Sequence, residues 1–272
     1  VWPSVPLWMK LIATHEEYQK YDISSLKVIT CGSAPLPVDV IRRVEELTGA
    51  VITEGYGMTE TVNTITINGH DHRKVGTVGV VNPNIEYLIV DQETGTEVVE
   101  DGQPGEIICR GECVMHEYWN NPEETAKMLR NGWLYTGDLA TMDEDGYFYI
   151  VDRKKDMVIV GGYNVYPREV DEVLLEHPKI MEAVTVGISD DVRGEVLKAY
   201  VVPCPGESLN KSEIVAWCRS KLASYKVPRL VEFREELPKT IVGKVLRRAL
   251  REEEERKADR RKNRQAGQKN TA

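Results

Sequence analysis

Tyr56-Gly57-Met58-Thr59-Glu60 places flexible backbone, a hydroxyl and a carboxylate side by side, a set suited to contact with a phosphate and a magnesium ion. A hydroxyl donates to a phosphate oxygen, and a hard cation takes oxygen ligands while keeping several waters. Five residues prove little alone, so their setting decides. Gly32-Ser33-Ala34-Pro35 is a second small-residue segment, and Asp152-Arg153-Lys154-Lys155-Asp156 is a basic pentad that, taken by itself, reads as a solvated loop.

The elements around them are legible. Residues 26–30 read as a short buried strand, ended by the turn residues Gly32 and Pro35. Val40, Ile41, Val44 and Leu47 then share one helical face, Gly49 stops the helix, and residues 50–53 form a second strand running into Glu54-Gly55-Tyr56-Gly57. A βαβ crossover makes its strands parallel, so Gly32 to Pro35 and Gly55 to Glu60 are expected to face one crevice.

From Gly76 to Val151 the texture changes to short β-branched and aromatic runs (85–90, 106–110, 147–151). Asp143-Glu144-Asp145-Gly146 lacks the remaining spacing of a calcium loop and reads as a hairpin turn. Beyond Asp156, strands and helices alternate: 157–160, a helix near 167–176, strands 183–188 and 197–202, then a helix through Trp217 capped by Asn210 with Glu213. The expected architecture is α/β and α+β. Residues 1–75 are the end of a doubly wound α/β region and 76–152 a β-rich subdomain. Residues 153–250 are a small mobile α+β domain, and 251–272 a charged, disordered tail.

Composition narrows the partners. The chain has 272 residues and a net charge of -9. Residues 251–272 carry eight Lys/Arg against five Asp/Glu, so the rest is more acidic still, which argues against nucleic acid as the main partner. The basic end, Arg260 to Arg264, offers a contact to RNA or anionic lipid but reads as a solvated terminus. No stretch of about 18 apolar residues marks a membrane span, though peripheral membrane contact stays open. The first residues make no secretory signal, and the missing initial Met suggests a fragment. Five cysteines with no C-x-x-C pair suggest neither a disulfide framework nor a zinc site, and a cytoplasmic location fits.

Read in order, Gly32 to Pro35, Tyr56 to Glu60, Gly105-Glu106-Ile107-Ile108-Cys109-Arg110-Gly111, Tyr135-Thr136-Gly137-Asp138, Asp152 to Pro167 and Pro238 to Lys244 resemble the signature motifs of the adenylate-forming superfamily. That superfamily contains acyl- and aryl-CoA synthetases, peptide-synthetase adenylation domains and firefly luciferase, and the likeness covers nearly all of residues 1–250. The resemblance implies ATP, Mg2+ and CoA as reaction partners. Gly32, Ser33, Ala34 and Pro35 would line the adenine and acyl pocket beside Gly55 and Gly57. Tyr56 would pack on adenine, Thr59 would touch the α-phosphate, and Glu60 would hold the magnesium. Asp138 would accept from both ribose hydroxyls, a task its two oxygens suit, and Arg153 would reach the same ribose. Lys155 would be the hinge, Gly161 and Gly162 would shape the pantetheine tunnel, and Lys244 would be the catalytic lysine of acyl-adenylate formation.

In the family a carboxylate attacks the α-phosphorus of ATP, pyrophosphate leaves, the small domain rotates, and a thiol takes the acyl group from AMP. Gly161-Gly162-Tyr163-Asn164-Val165-Tyr166-Pro167 is similar to the form in fatty acyl- and aryl-CoA ligases, so CoA is the expected acceptor and a medium- or long-chain fatty acid the expected acid. One departure stands out. No Ser/Thr- and Gly-rich phosphate loop ending in Pro-Lys-Gly occurs in 1–272, so the triphosphate grip is expected upstream and the chain alone is expected to be inactive. Two alternatives remain: a non-catalytic truncated interaction module, and an adenylation domain serving a carrier protein. Oligomeric state is not legible.

Overall fold

The computed structural model describes every residue except Glu16, Asn63, Asp191, Ile241, Val242 and 270–272, along with no side chain at Gln19 or 261–269. Two residues of the Pro238 to Lys244 motif therefore lie outside the described residues. The chain divides into two compact units, Val1–Lys154 and Lys155–Ala272. The division falls two residues past the expected 152/153 boundary because Asp152 and Arg153 are the last rungs of a strand of the first unit, opposite Leu139 and Asp138.

The first unit begins with β1 (Trp2–Ser4), α1 (Pro6–Thr14), β2 (Val28–Cys31), α2 (Val38–Thr48), β3 (Val51–Gly57), β4 (Thr64–Ile67) and β5 (Val80–Val81). They form one sheet in that strand order, parallel from β1 to β3 and antiparallel from β3 to β5. Ile41 and Val44 of α2 are buried with Met9, Ile29 and Ile52 in its core, each worth about 2 kcal/mol of transfer free energy. Gly49 ends α2 in the left-handed region at φ 67°, as its C-cap. The sequence placed Gly55 to Gly57 beyond the strand; instead β3 runs through Gly57, because Gly55 and Tyr56 pair with Ile67 and Thr66 on β4.

A second sheet follows, with strand order β10-β9-β7-β6. It is built from β6 (Glu86–Val90), β7 (Gly105–Arg110), α3 (Pro122–Met128), β8 (Leu129–Arg130), β9 (Trp133–Met142) and β10 (Phe148–Arg153), with β8 paired to β9. The Asp143 to Gly146 segment is the β9–β10 turn: Asp143 Oδ1 accepts from the N–H of Asp145 and Tyr147, at 3.1 and 3.0 Å.

The second unit contains β11 (Val158–Val160), β12 (Tyr163–Val165), α4 (Pro167–Leu175), β13 (Ile180–Asp190), β14 (Gly194–Pro203), α5 (Lys211–Lys221), β15 (Leu230–Phe233) and α6 (Arg247–Lys269). Its sheet runs β12-β11-β14-β13 with β15 beside β14. Asn210 caps α5 by accepting from the Glu213 N–H at 3.0 Å, and α4 and α5 bury Val170, Leu174, Ile214 and Cys218 on the sheet.

The unit does not end at Leu250, and residues 251–269 are helical where a disordered tail was expected. The charges read as a solvated run bind this helix to the unit: Arg251 reaches Asp156 at 2.7 Å, Glu254 takes Lys198 at 2.9 Å and the Tyr200 hydroxyl at 2.9 Å, and Glu253 takes Arg234 at 2.6 Å. Among the described residues no helix is long and apolar enough to cross a membrane.

Candidate functional site

Asp138 owes its position to a bulge. Between the pairs Glu106–Leu139 and Ile108–Tyr135, β7 contributes one residue, Ile107, while β9 contributes three: Thr136, Gly137 and Asp138. Such insertions bend a strand and re-aim its side chains. The backbone groups released from the ladder find new partners. Thr136 Oγ1 donates to the Ile107 carbonyl at 2.7 Å, the Asp138 N–H donates to Thr136 Oγ1 at 3.1 Å, and the Gly137 N–H donates to Glu106 Oε1 at 3.1 Å. Gly137 sits at φ 70°, a conformation glycine adopts without strain. Glu106 is buried, and its other oxygen takes Lys154 Nζ at 2.8 Å, which neutralises it.

Three predicted residues meet at this bulge. The Tyr56 hydroxyl, carried by β3, donates to Asp138 Oδ2 at 2.8 Å, and Arg153 Nε, directly across on β10, lies 3.4 Å from Oδ1. Burial, then the Asp138 charge, pushes the Tyr56 phenol well above its ordinary range, so it remains a hydrogen donor at neutral pH. A carboxylate held on both oxygens by a phenol and a guanidinium is oriented before any ligand arrives.

Gly32, Ser33 and Gly55 come together as expected. They line a cleft of about 230 Å³ at the C-terminal ends of the parallel strands, with Ser4, Cys31 and Thr64. A Cβ on Gly32 would lie 3.4 Å from the Gly55 carbonyl oxygen, and one on Gly55 would lie 3.1 Å from that of Thr66, so small residues here follow from crowding. Burial, then the Glu54 charge, raises the Cys31 thiol to about 12, which leaves it a protonated, unreactive neighbour. Ala34 and Pro35 are not among the cleft-lining residues.

Thr59, Glu60 and Thr61 form a single tight turn whose start is fixed by Thr61 Oγ1, accepting from the Met58 N–H at 3.2 Å and donating to the Met58 carbonyl at 3.0 Å. Thr59 is exposed. Glu60 is half-buried, with the Tyr118 hydroxyl donating to Oε1 at 2.5 Å. Among the described residues no group of three or more His, Cys, Asp or Glu side chains converges to hold a metal. A single carboxylate still fits magnesium, which is often held by one or two carboxylates with waters and substrate phosphates completing its shell.

In the second unit, Gly161 and Gly162 are the two-residue turn between β11 and β12, at φ 59° and 88°. Both central residues of such a hairpin need positive φ, which is why two glycines stand here. Within the chain a Cβ at either would meet no atom within 4 Å, so the packing of the unit itself does not call for glycine here. Lys244 is exposed on the loop before α6, where Thr240 Oγ1 accepts its N–H at 3.1 Å and the Thr240 N–H returns a bond to its carbonyl at 2.9 Å. Lys155 is the first residue of the second unit and is exposed.

Sequence reasoning missed the supporting groups. Glu106 had a signal, a charged side chain inside an apolar strand run, which has to be paired if buried. Tyr118 had none, since a tyrosine before Trp119-Asn120-Asn121-Pro122 follows no periodic pattern.

Residues 1–119 match the AMP-binding enzyme family and residues 169–244 match the AMP-binding enzyme C-terminal domain. The long-chain-fatty-acid–CoA ligase of Bacillus subtilis is 49% identical over 255 residues, covering 93% of this chain and 45% of the relative. Its Escherichia coli O157:H7 counterpart is 44% identical over 249 residues, covering 91% and 44%. The crystal structure of ATP-bound MatB from Rhodopseudomonas palustris superposes with a TM-score of 0.86 at 34% identity, over 92% of this chain and 50% of that one. The chain belongs to the adenylate-forming superfamily of AMP-binding enzymes. It spans about half the length of the curated relatives it matches.

Proposed function

We propose that this chain supplies the adenosine side and the catalytic-lysine lid of an ATP-dependent acid–thiol ligase that activates a carboxylic acid as acyl-AMP and transfers it to CoA. The observation that carries this reading is Asp138, bulged away from β7 within β9 and held between Tyr56 and Arg153. In this reading Asp138 accepts from the two ribose hydroxyls, Arg153 supports the same sugar, and the Tyr56 ring stacks on adenine while its hydroxyl keeps Asp138 in place. Gly32, Ser33 and Gly55 shape the cleft beside them, and Ala34, Pro35 and Gly57 belong to the same two nucleotide-binding segments without lining that cleft. Thr59 donates to the α-phosphate.

Glu60 would hold Mg2+, which supplies neutralisation of phosphate charge; Tyr118 keeps the Glu60 carboxylate turned in one direction. Lys244 places a positive charge between the attacking carboxylate and the α-phosphate, where two anions otherwise repel. Lys155 is the hinge, and the open turn Gly161–Gly162 gives the thiol-bearing arm of CoA a passage free of side chains. The acid is a medium- or long-chain fatty acid, a reading supported by the names of the relatives, and the setting is cytoplasmic.

The test has two parts. Calorimetry on the chain should detect AMP binding that weakens about 100-fold in Asp138→Ala, the effect of losing two charge-assisted hydrogen bonds. In a chimera where residues 1–272 replace the matching portion of the B. subtilis relative, fatty-acid-dependent ATP–pyrophosphate exchange should appear and vanish in Lys244→Ala. The chain by itself should give none, for want of a phosphate loop. Exchange by the isolated chain, or AMP affinity indifferent to Asp138, would remove the reading.

A further inference from the structure

Glu106 puts a carboxylate where an apolar side chain would serve the fold better. β7 is buried from Gly105 to Cys109, and Glu106 itself is 3% exposed, paired with Val90 on one side and Leu139 on the other. A charge in such a place costs desolvation that a well-packed hydrophobic residue avoids. What the carboxylate does is join two segments distant in sequence. Oε1 accepts from the Gly137 N–H at 3.1 Å and Oε2 from Lys154 Nζ at 2.8 Å. Gly137 is the middle residue of the β9 bulge, and Lys154 is the last residue of the first unit.

Two consecutive cations therefore hold two consecutive residues of the bulge. Arg153 Nε lies 3.4 Å from Asp138 Oδ1, and Lys154, opening the single turn that follows β10, reaches Gly137 through Glu106. Thr136 Oγ1 satisfies the Ile107 carbonyl and the Asp138 N–H, which leaves the Gly137 N–H to Glu106. The two ends of this relay differ in burial. The Lys154 side chain is 39% exposed and that of Glu106 is 4% exposed, so Lys154 can be replaced without opening a cavity, while the carboxylate it would leave behind has little access to water.

We propose that Glu106 and Lys154 are a positioning pair for Asp138. Lys154 fixes the buried carboxylate, the carboxylate fixes the Gly137 N–H, and Gly137 carries the backbone from which Asp138 meets the ribose; neither member of the pair touches the nucleotide. Hydrogen bonds to an ionised acceptor are about twice as strong as neutral ones, which suits Glu106 to hold a backbone group that the ladder has released. Without Lys154 the same charge is buried and unpaired, and it relaxes toward water and draws the Gly137 N–H out of place. The inference rests on the reading of Asp138 as the ribose acceptor, and adds that the segment ending one residue before the hinge Lys155 sets the orientation of that acceptor.

Calorimetry with AMP and amide hydrogen exchange over residues 133–142, both on the 272-residue chain, test it. Lys154→Met should weaken AMP binding at least about tenfold and speed exchange in that segment, whereas Lys154→Arg should stay near wild type in both. In Glu106→Gln/Lys154→Met no buried charge is left and the amide oxygen still accepts from Gly137, so most of both losses should be recovered. Glu106→Leu/Lys154→Met has an equally neutral interior but no acceptor, and should bind AMP at least about tenfold more weakly than the Gln double variant. This last pair decides the matter even if Lys154→Met does not fold. A pair that served the fold alone would lower stability and leave the AMP affinity of folded protein unchanged. Equal AMP affinity in the two double variants, or binding that Asp138→Ala abolishes and folded Lys154→Met leaves untouched, would overturn this inference while the ribose reading stands. A wild-type chain that binds no AMP would overturn the ribose reading and this inference with it.

Discussion

The two units hold their candidate residues in opposite ways. In the first, Tyr56, Asp138, Arg153 and Glu106 are tied into one hydrogen-bonded patch around a strand bulge. In the second, Gly161 and Gly162 stand at a turn with nothing around them. A patch that satisfies itself is preset for one ligand geometry, and disturbing it also disturbs the fold. Residues that touch little of their own chain leave the fold intact when changed, so their purpose lies in what they meet outside it.

Two glycines put that contrast to its hardest test. Gly79 and Gly162 share the same φ of 88°. A Cβ on Gly79 would sit 2.0 Å from the backbone carbon of Ile67, whereas one on Gly162 would find open space. Gly79→Ala should therefore destabilise by more than about 4 kcal/mol in urea unfolding, since backbone has to move to admit it. A cost equal to that of Gly162→Ala would break the comparison.

The same contrast marks what was legible from sequence. Periodicity and turn residues located α2, the hairpin at Asp143 to Gly146 and the Asn210 cap, because each is a local arrangement whose chemistry lies within a few residues. The motif order located Tyr56, Asp138 and Arg153. Their meeting depends on a bulge that no local pattern announces: only the partner strand shows that three residues oppose one. The tail misled for a related reason. Within Glu252 to Glu255, Glu253 and Glu254 read as solvated charge until Lys198, Arg234 and Tyr200, 19 to 56 residues earlier, are seen to receive them.

That receiving network also qualifies the comparison, because it is a preset patch within the second unit. Burial opposes ionisation of Glu254, but hydrogen bonds from Lys257, Lys198 and Tyr200 prevail and lower its carboxyl from 4.5 to about 2. Since the folded value is the lower one, the stability Glu254 contributes is complete above about pH 4.5 and is lost as pH falls toward 2. Glu254→Gln should cost about 2 kcal/mol at neutral pH, after allowance for solvent screening, and should flatten the stability profile across that window in denaturant titrations. A variant as acid-sensitive as wild type would place the sensitivity elsewhere.

Tyr56→Phe sharpens the claim that the first patch supports the fold as well as a ligand. It removes a donor from Asp138 without changing the ring, so it should lower stability by about 1.5 kcal/mol in thermal unfolding. AMP affinity should fall with it, because the carboxylate loses one of the two groups that orient it. If affinity fell while stability held, Tyr56 would act on the ligand alone and the coupling drawn above would be wrong.

The smallest effect belongs to the open turn. An L-residue at the backbone angles of Gly162 is strained by about 1 to 2 kcal/mol, while replacing glycine reduces the freedom of the unfolded chain and returns about 0.5 kcal/mol. Gly162→Ala should thus cost about 1 kcal/mol. Gly161→Asn should be close to neutral, since φ 59° lies in the left-handed region that asparagine tolerates. Both variants should unfold as cooperatively as wild type, because no atom of the chain lies where the added Cβ would go. In the chimera, pyrophosphate exchange should survive Gly162→Ala while transfer to CoA falls by more than the stability loss explains. That separation is the behaviour of a turn kept bare for a ligand; equal loss in both reactions would return the two glycines to the hairpin's geometry alone.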